Sequence, residues 1–309
     1  MTQTVQTHSA FATTSTQGLR HDILPMRLYH KAKKLGIWDP RSIDFSQDIL
    51  DWQRCTAEEK ETILRLTALF QAGEEGVTLD LLPLMLAIAQ DGHLEEEMFL
   101  TTFLWEEAKH TEFFRRFLDE VAKEHGDLHH FHTPSYRKIF YEELPQSMNA
   151  LISDRSPAAQ LKASVTYNMI VEGVLAETGY QSYFDILQTN NLMPGLRQGI
   201  ELLKRDESRH IAYGIYLISR LISQDQSLWP VIESRMNELL PLALGVVQES
   251  DPYDDDAPRP FGLNMADYQG FAIMQFNKRI ARIEKAKEQT IDQLYQLAEE
   301  ESEIEDLGK

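Results

Sequence analysis

The stretch EEAKH, residues 106–110, sets Glu107 and His110 three positions apart. On a helix, side chains at that spacing share a face. A solvated helix could carry the pair by accident, but the second half of the chain repeats it: DESRH, residues 206–210, holds Glu207 and His210. Two such pairs on separate long helices suit a bundle with two metal ions in its core, provided two further helices each add a carboxylate. The helix before the first pair offers Glu74 and Glu75 in FQAGEEGV. The helix before the second offers Glu172 in NMIVEGVLAE. Both settings are apolar, where an unpaired carboxylate is costly. Neighbours on a helix point about 100° apart, so one of Glu74 and Glu75 faces inward; Glu74 is the expected ligand and Glu75 the alternative.

The intervals agree. Glu74 to Glu107 is 33 residues and Glu172 to Glu207 is 35, each one helix out and the next helix back. The chain therefore holds two versions of one unit. Together they supply four carboxylates and two imidazoles, a charge of -4 that two divalent ions neutralise and that would otherwise repel and desolvate badly. Carboxylate and imidazole suit iron or manganese, and the set contains no thiolate for a zinc or iron–sulfur site. Nearby residues have plainer expectations. Glu106 adjoins Glu107 and should face elsewhere. Glu177 should be structural. His125, His129, His130 and His132 form a cluster expected on a solvated surface.

The rest of the chain fits an all-α fold. Thr56-Ala-Glu-Glu59 is a capping box, opening a helix expected to run to Gln90 with an adjustment at Pro83. Further helices are expected over 94–125, closed by Gly126, after Pro134, and over 157–187, 194–221, 228–248 and 265–303. Helices this long with short connections imply a bundle. Residues 1–22 read as a loose arm, 23–303 as one helical domain, and 304–309 as an acidic tail. A formal net charge of -19 disfavours nucleic acid and anionic membranes. No transmembrane segment is expected: the most apolar run, residues 77–89, is interrupted by Asp80 and Pro83 and falls short of a span. The single cysteine, Cys55, precludes an intramolecular disulfide and suits a cytoplasmic location; the polar N-terminus lacks a signal-peptide pattern.

With these six residues in place the chain resembles the ferritin-like superfamily. Within it the chain is similar to the small subunit of class I ribonucleotide reductase, and most of all to the ribonucleotide-reductase-small-subunit-like ligand-binding oxidases. The resemblance spans about residues 25 to 290. It implies a ferritin-like four-helix core with added helices and metal ligands at Glu74, Glu107, His110, Glu172, Glu207 and His210. It also implies one manganese and one iron ion per chain, or alternatively two irons, with Glu107 and Glu207 shared or switching mode. It further implies an ether link between Val77 and Tyr167, an orienting role for Asp206 behind His110, O2 as oxidant, and a homodimer. The implied bound partner is a long-chain fatty acid or similar apolar carboxylate, in a tunnel that Met169 and Val171 would help to line. Tyr167 is about 140° from Glu172 on an ideal α-helix, so only the resemblance selects it. One departure separates the chain from a standard reductase subunit: Phe114 stands where that subunit carries its radical tyrosine. In addition, the tail EEESEIEDLGK has no tyrosine after Tyr295. A reductase small subunit with a Mn/Fe centre stays the alternative. An acyl-carrier-protein desaturase-like enzyme and a ferritin-like iron store share parts of the pattern, but the acidic surface weighs against the first and the chain length against the second.

Overall fold

The computed structural model describes residues 10–254 and 257–285. The expected N-terminal arm and last helix lie partly outside these residues, and the acidic tail and Tyr295 wholly so. The described chain is helical, with no strand among its residues. In chain order the α-helices are α1 (Leu24–Leu35), α2 (Ser46–Arg54), α3 (Ala57–Gln90), α4 (Leu94–Phe117), α5 (Pro134–Arg137), α6 (Leu144–Ala150), α7 (Pro157–Ser164), α8 (Glu177–Leu187), α9 (Pro194–Gln224), α10 (Trp229–Glu249) and α11 (Met265–Glu284). No described helix is long and apolar enough to cross a membrane.

The long helices start where local chemistry satisfies their free N–H groups. Thr56 and Glu59 form the reciprocal capping box of α3, a device that stabilises a helix by about 1 kcal/mol. Ser156 caps α7 by accepting from Ala159 N, with Pro157 at its first turn. The cap of α9 comes from a distance. Buried Asp48, on α2, accepts from Gly195 N and Leu196 N at 2.9 and 2.6 Å. At Gly195 an added Cβ would lie 2.5 Å from the Asp44 carbonyl, so only glycine allows this approach.

α3 continues through Pro83. The second long helix is shorter than expected. After Phe117 it widens into a π turn over Leu118–Ala122 and closes on Lys123 in the left-handed region, φ 55°, rather than at Gly126. The stretch expected as one helix over 157–187 is α7 and α8 joined by a π-helical segment, Val165–Ala176. In that segment the bonds run i→i+5, and Glu177 N reaches back to Glu172 O. Arg279 of α11, itself buried, donates to the Gly173 carbonyl within the widened turn.

α3 packs on α4, and α9 on the π segment, completing the four-helix core. α1 lies across α4 and α9, while α10 and α11 cover the outer side of the π segment. Two apolar clusters fill the bundle. One contains Phe99, Phe103 and Tyr167; the other contains Phe70, Phe113, Phe114 and Tyr180. The polar site lies among residues of both.

Candidate metal centre

Glu74 projects inward from α3 and is buried, whereas its neighbour Glu75 is exposed. α4 supplies Glu107 and His110, the π segment Glu172, and α9 Glu207 and His210; all five are buried. These residues form two overlapping groups. Ligand atoms of Glu74, Glu107, His110 and Glu207 lie within 4.8 Å of one another, as do those of Glu107, Glu172, Glu207 and His210. Glu107 and Glu207 belong to both groups. His110 Nδ1 lies 3.4 Å from Glu74 Oε2, 3.5 Å from Glu107 Oε2 and 3.5 Å from Glu207 Oε1. His210 Nδ1 lies 3.2 Å from Glu107 Oε1, 3.6 Å from Glu172 Oε1 and 3.5 Å from Glu207 Oε2.

The donor set fits a pair of ions on geometric grounds. Metal bonds of about 2.0–2.2 Å separate adjacent ligand atoms by roughly 3.0–3.5 Å. The converging atoms Glu107 Oε2, His110 Nδ1, Glu172 Oε1, Glu207 Oε2 and His210 Nδ1 are buried and lack a hydrogen-bond partner. Orphaned buried polar atoms are rare and need an explanation; five aimed at one place are accounted for by cations.

Electrostatics point the same way. Burial pushes the Glu74 carboxyl up to about 8. Burial, followed by the nearby Glu207 charge, raises Glu172 well above the usual range. Burial alone would lower both imidazoles, but the surrounding carboxylates override it and hold His110 and His210 well above the ordinary histidine value. Glu107 is desolvated too, yet the two histidines beside it hold it below the usual range. The bare site thus retains protons that divalent ions would replace.

Behind each histidine stands an acid from the opposite unit. Glu106 points away from the ligand groups, as expected, and into the protein. It is fully buried, with Oε2 2.9 Å from His210 Nε2 and Oε1 accepting from Arg209 Nη2 at 2.6 Å. Asp206 Oδ2 lies 3.5 Å from His110 Nε2. That contact is long because the same oxygen accepts from Trp38 Nε1 at 2.7 Å and Lys109 Nζ at 2.9 Å. Asp206 also pairs with Arg209. The acids are therefore exchanged: Glu106 of the first unit backs the second histidine, and Asp206 of the second backs the first. Phe103 stacks on His210 at a ring separation of 3.6 Å, and Trp38 lies parallel to His110 at 6.2 Å.

Tyr167 is fully buried beside this centre, its Oη 3.3 Å from Glu107 Oε1 and 3.4 Å from the Val77 carbonyl. The π segment explains how. A turn widened to i→i+5 brings residues five apart closer to one face than an α-helix does, and Tyr167 and Glu172 are five apart. Phe114, fully buried, packs its ring against Phe70 and Tyr183.

A cavity of about 170 Å³ runs outward from Glu74, Glu107, Glu172 and Glu207. Val77, Phe70, Leu69, Phe140, Val171 and Leu175 form its apolar walls, and Asp251, Pro252, Tyr253 and Arg259 stand at its far end. Val171 lines it as expected. Met169 does not; it is buried in the core, since residues two apart point away from one another. Glu177 is half-buried and faces Lys204 at 3.8 Å. His125, His129 and His130 are exposed, but His132 is buried against Tyr141 Oη at 2.7 Å, contrary to the expectation of a fully solvated cluster.

Residues 26–287 match the family model described as ribonucleotide reductase, small chain. Among solved structures, the chain is similar to a tyrosine-to-phenylalanine variant of an R2-like ligand-binding oxidase with an aerobically reconstituted Mn/Fe cofactor. The identity is 42%, the TM-score 0.84, and the match covers 89% of this chain and 98% of that one. A valine-to-leucine variant of an R2-like ligand-binding oxidase with an anaerobically reconstituted Mn/Fe cofactor matches with the same values. A glycine-to-phenylalanine variant, with the same cofactor anaerobically reconstituted, matches with a TM-score of 0.82 at 42% identity, over 89% and 98% of the two chains. With its two Glu-x-x-His helices, its paired carboxylate helices and this likeness over most of its length, the chain belongs to the ribonucleotide reductase small-chain family, among its R2-like ligand-binding oxidases.

Proposed function

We propose that this chain is an O2-dependent dinuclear oxidase holding one manganese and one iron ion. Glu74, Glu107, His110 and Glu207 would hold one ion; Glu107, Glu172, Glu207 and His210 would hold the other. The bound pair supplies oxygen activation and two of the four electrons that reduce O2 to water. The chain supplies the other two when the Val77 Cβ–H and Tyr167 O–H are lost and one C–O bond forms. Burial keeps Tyr167 and Val77 within reach of the oxidant and away from water.

The observation that carries this reading is Tyr167: a buried hydroxyl touching both a metal-facing oxygen of Glu107 and the backbone of Val77. The positions varied in the similar oxidase structures support it. Their glycine, valine and tyrosine are spaced 4 and 90 residues apart, as are Gly73, Val77 and Tyr167 here. The apolar cavity that reaches the carboxylates suits a long-chain fatty acid or similar apolar carboxylate, with its head at the ions and its chain along Val171 and Leu175. The exposed stripe of Leu79, Leu82 and Leu86 on α3 suits a homodimer, and a cytoplasmic setting suits the free Cys55. Phe114, in an all-apolar contact, favours an oxidase over a radical-storing reductase subunit.

Intact-protein and peptide mass spectrometry, before and after aerobic loading with manganese and iron, tests this. The expected result is the loss of two hydrogens and a joined pair of peptides containing Val77 and Tyr167. Full metal occupancy with unchanged mass would instead bring the reductase reading forward.

A further inference from the structure

Asn168 stands four residues before Glu172 in the π segment and is fully buried. Its Nδ2 donates to Glu172 Oε2 at 3.0 Å. A metal-bound Glu172 would be ionised and could only accept, which fixes the amide nitrogen toward Glu172 and the amide oxygen the other way. There the Ser164 hydroxyl donates to Asn168 Oδ1 at 2.9 Å. Gly214 on α9 makes the room: a Cβ there would lie 2.2 Å from Asn168 Cβ and 2.8 Å from Oδ1. Glu172 and Ser164 together orient the amide, the Ser164 hydroxyl lying closer to Asn168 Oδ1 than to the Gly214 carbonyl at 3.4 Å. Glu172 therefore has unlike oxygens. Oε2 is engaged by Asn168, while Oε1 lies 3.6 Å from His210 Nδ1 and has no hydrogen-bond partner.

The first unit has no counterpart. Four residues before Glu74 stands Phe70, which packs against Phe114, Tyr180 and Tyr183 and has nothing to donate. Among the described residues no amide donates to the Glu74 carboxylate.

We propose that Asn168 is a positioning residue that restricts Glu172 to one ligand oxygen, Oε1, and by this one-sided restraint makes the second metal position chemically different from the first. The inference rests on the dinuclear reading above. Carboxylates change easily between one-oxygen and two-oxygen binding. At Glu172 that change breaks the Asn168 bond and leaves a buried donor unpaired. At Glu74 no amide among the described residues opposes it. The amide also withdraws charge from Glu172, weakening it as a donor relative to Glu74, in the manner of outer groups that tune a metal through its ligands.

The test compares the full-length wild type with Asn168→Leu, which removes the donor at similar volume, and Ser164→Ala, which frees the amide to rotate. Metal-free samples are loaded in air with equal manganese and iron. Three quantities are read: total metal per chain, the Mn:Fe ratio at each position by anomalous scattering, and the binding mode of Glu172 in the same crystals. The expected wild type has one-oxygen Glu172 and unequal ratios at the two positions. Asn168→Leu keeps two ions, shows two-oxygen Glu172, and changes the ratio at the second position roughly tenfold; Ser164→Ala moves it less, in the same direction. Two-oxygen binding in the wild type, or one-oxygen binding with unchanged ratios in both variants, overturns the proposal. If Asn168→Leu does not fold, Ser164→Ala decides alone by the same readouts. A wild type that fails to take two ions overturns the dinuclear reading instead.

Discussion

The two units of this bundle supply the same ligands from differently built helices. In the first, Glu74 lies on an α-helix of 34 residues, four positions after Phe70. In the second, Glu172 lies on a 12-residue π segment, beside the amide of Asn168, with Tyr167 five positions earlier. A regular helix presents one carboxylate and packs apolar groups around it. The widened helix carries Tyr167, Asn168 and Glu172 within six residues, and its Gly173 carbonyl accepts from Arg279. Near-symmetric carboxylates thus sit in asymmetric surroundings, and Tyr167 falls on the side where the helix is irregular; π segments often occur at functional sites.

The largest expected effect removes what the two units share. Glu107→Ala should abolish binding of both ions and the crosslink with them, while His110→Ala and His210→Ala should each retain at most one ion; metal quantification after gel filtration distinguishes the cases. Equal losses from all three would break the picture of two overlapping groups.

The exchanged acids come next. Glu106→Ala leaves Arg209 buried without one of its partners and should destabilise the fold by about 3–5 kcal/mol, read by chemical denaturation. The gentler Glu106→Gln should weaken metal retention at the His210 position about 10–100-fold, and Asp206→Asn should do so at the His110 position. The reverse pairing would show that the exchange has no functional weight.

A further effect, of comparable size, is pH-dependent. The folded metal-free chain holds a proton on Glu74 up to about 8, and on His110 and His210 above their ordinary value. The unfolded chain gives these protons up earlier. The folded state therefore binds more protons between about pH 5 and 8, and its stability must fall as pH rises through that window, by about 1.4 kcal/mol per pH unit for each proton retained. The depressed carboxyls of Glu107 and Asp206 act in the opposite sense only at lower pH. Denaturation midpoints at pH 5.5, 6.5 and 7.5 (roughly spanning the window) should decline without metal and flatten with it. A rising trend would contradict the assignment.

The smallest is Tyr167→Phe. The hydroxyl makes two long contacts, so its loss should cost less than about 1 kcal/mol and leave two ions bound, while removing the crosslink entirely.

Much of this was legible in the residue order. Two Glu-x-x-His pairs and two upstream acids at intervals of 33 and 35 residues predict four helices and six inward side chains, because helical periodicity leaves few other ways to bury them. The outer contacts were harder to see. Glu106 looked like a neighbour that had to point elsewhere, and it does, but into the protein; an acid directly before the ligand Glu in both units was the signal. Trp38 reaches Asp206 from 168 positions away, and no local pattern encodes that. The π segment was invisible because helical periodicity assumes a constant turn, and so Tyr167 could not be placed beside Glu172 by angle. Asp48 as the cap of α9 and His132 as a buried base are likewise long-range contacts.

The most direct test is a titration of metal-free protein with ferrous iron under anaerobic conditions, followed by elemental analysis, on wild type and Glu107→Ala together. The expected result is two ions per wild-type chain and none retained by the variant. One ion per chain, or binding that survives Glu107→Ala, would contradict a centre in which Glu107 serves both positions.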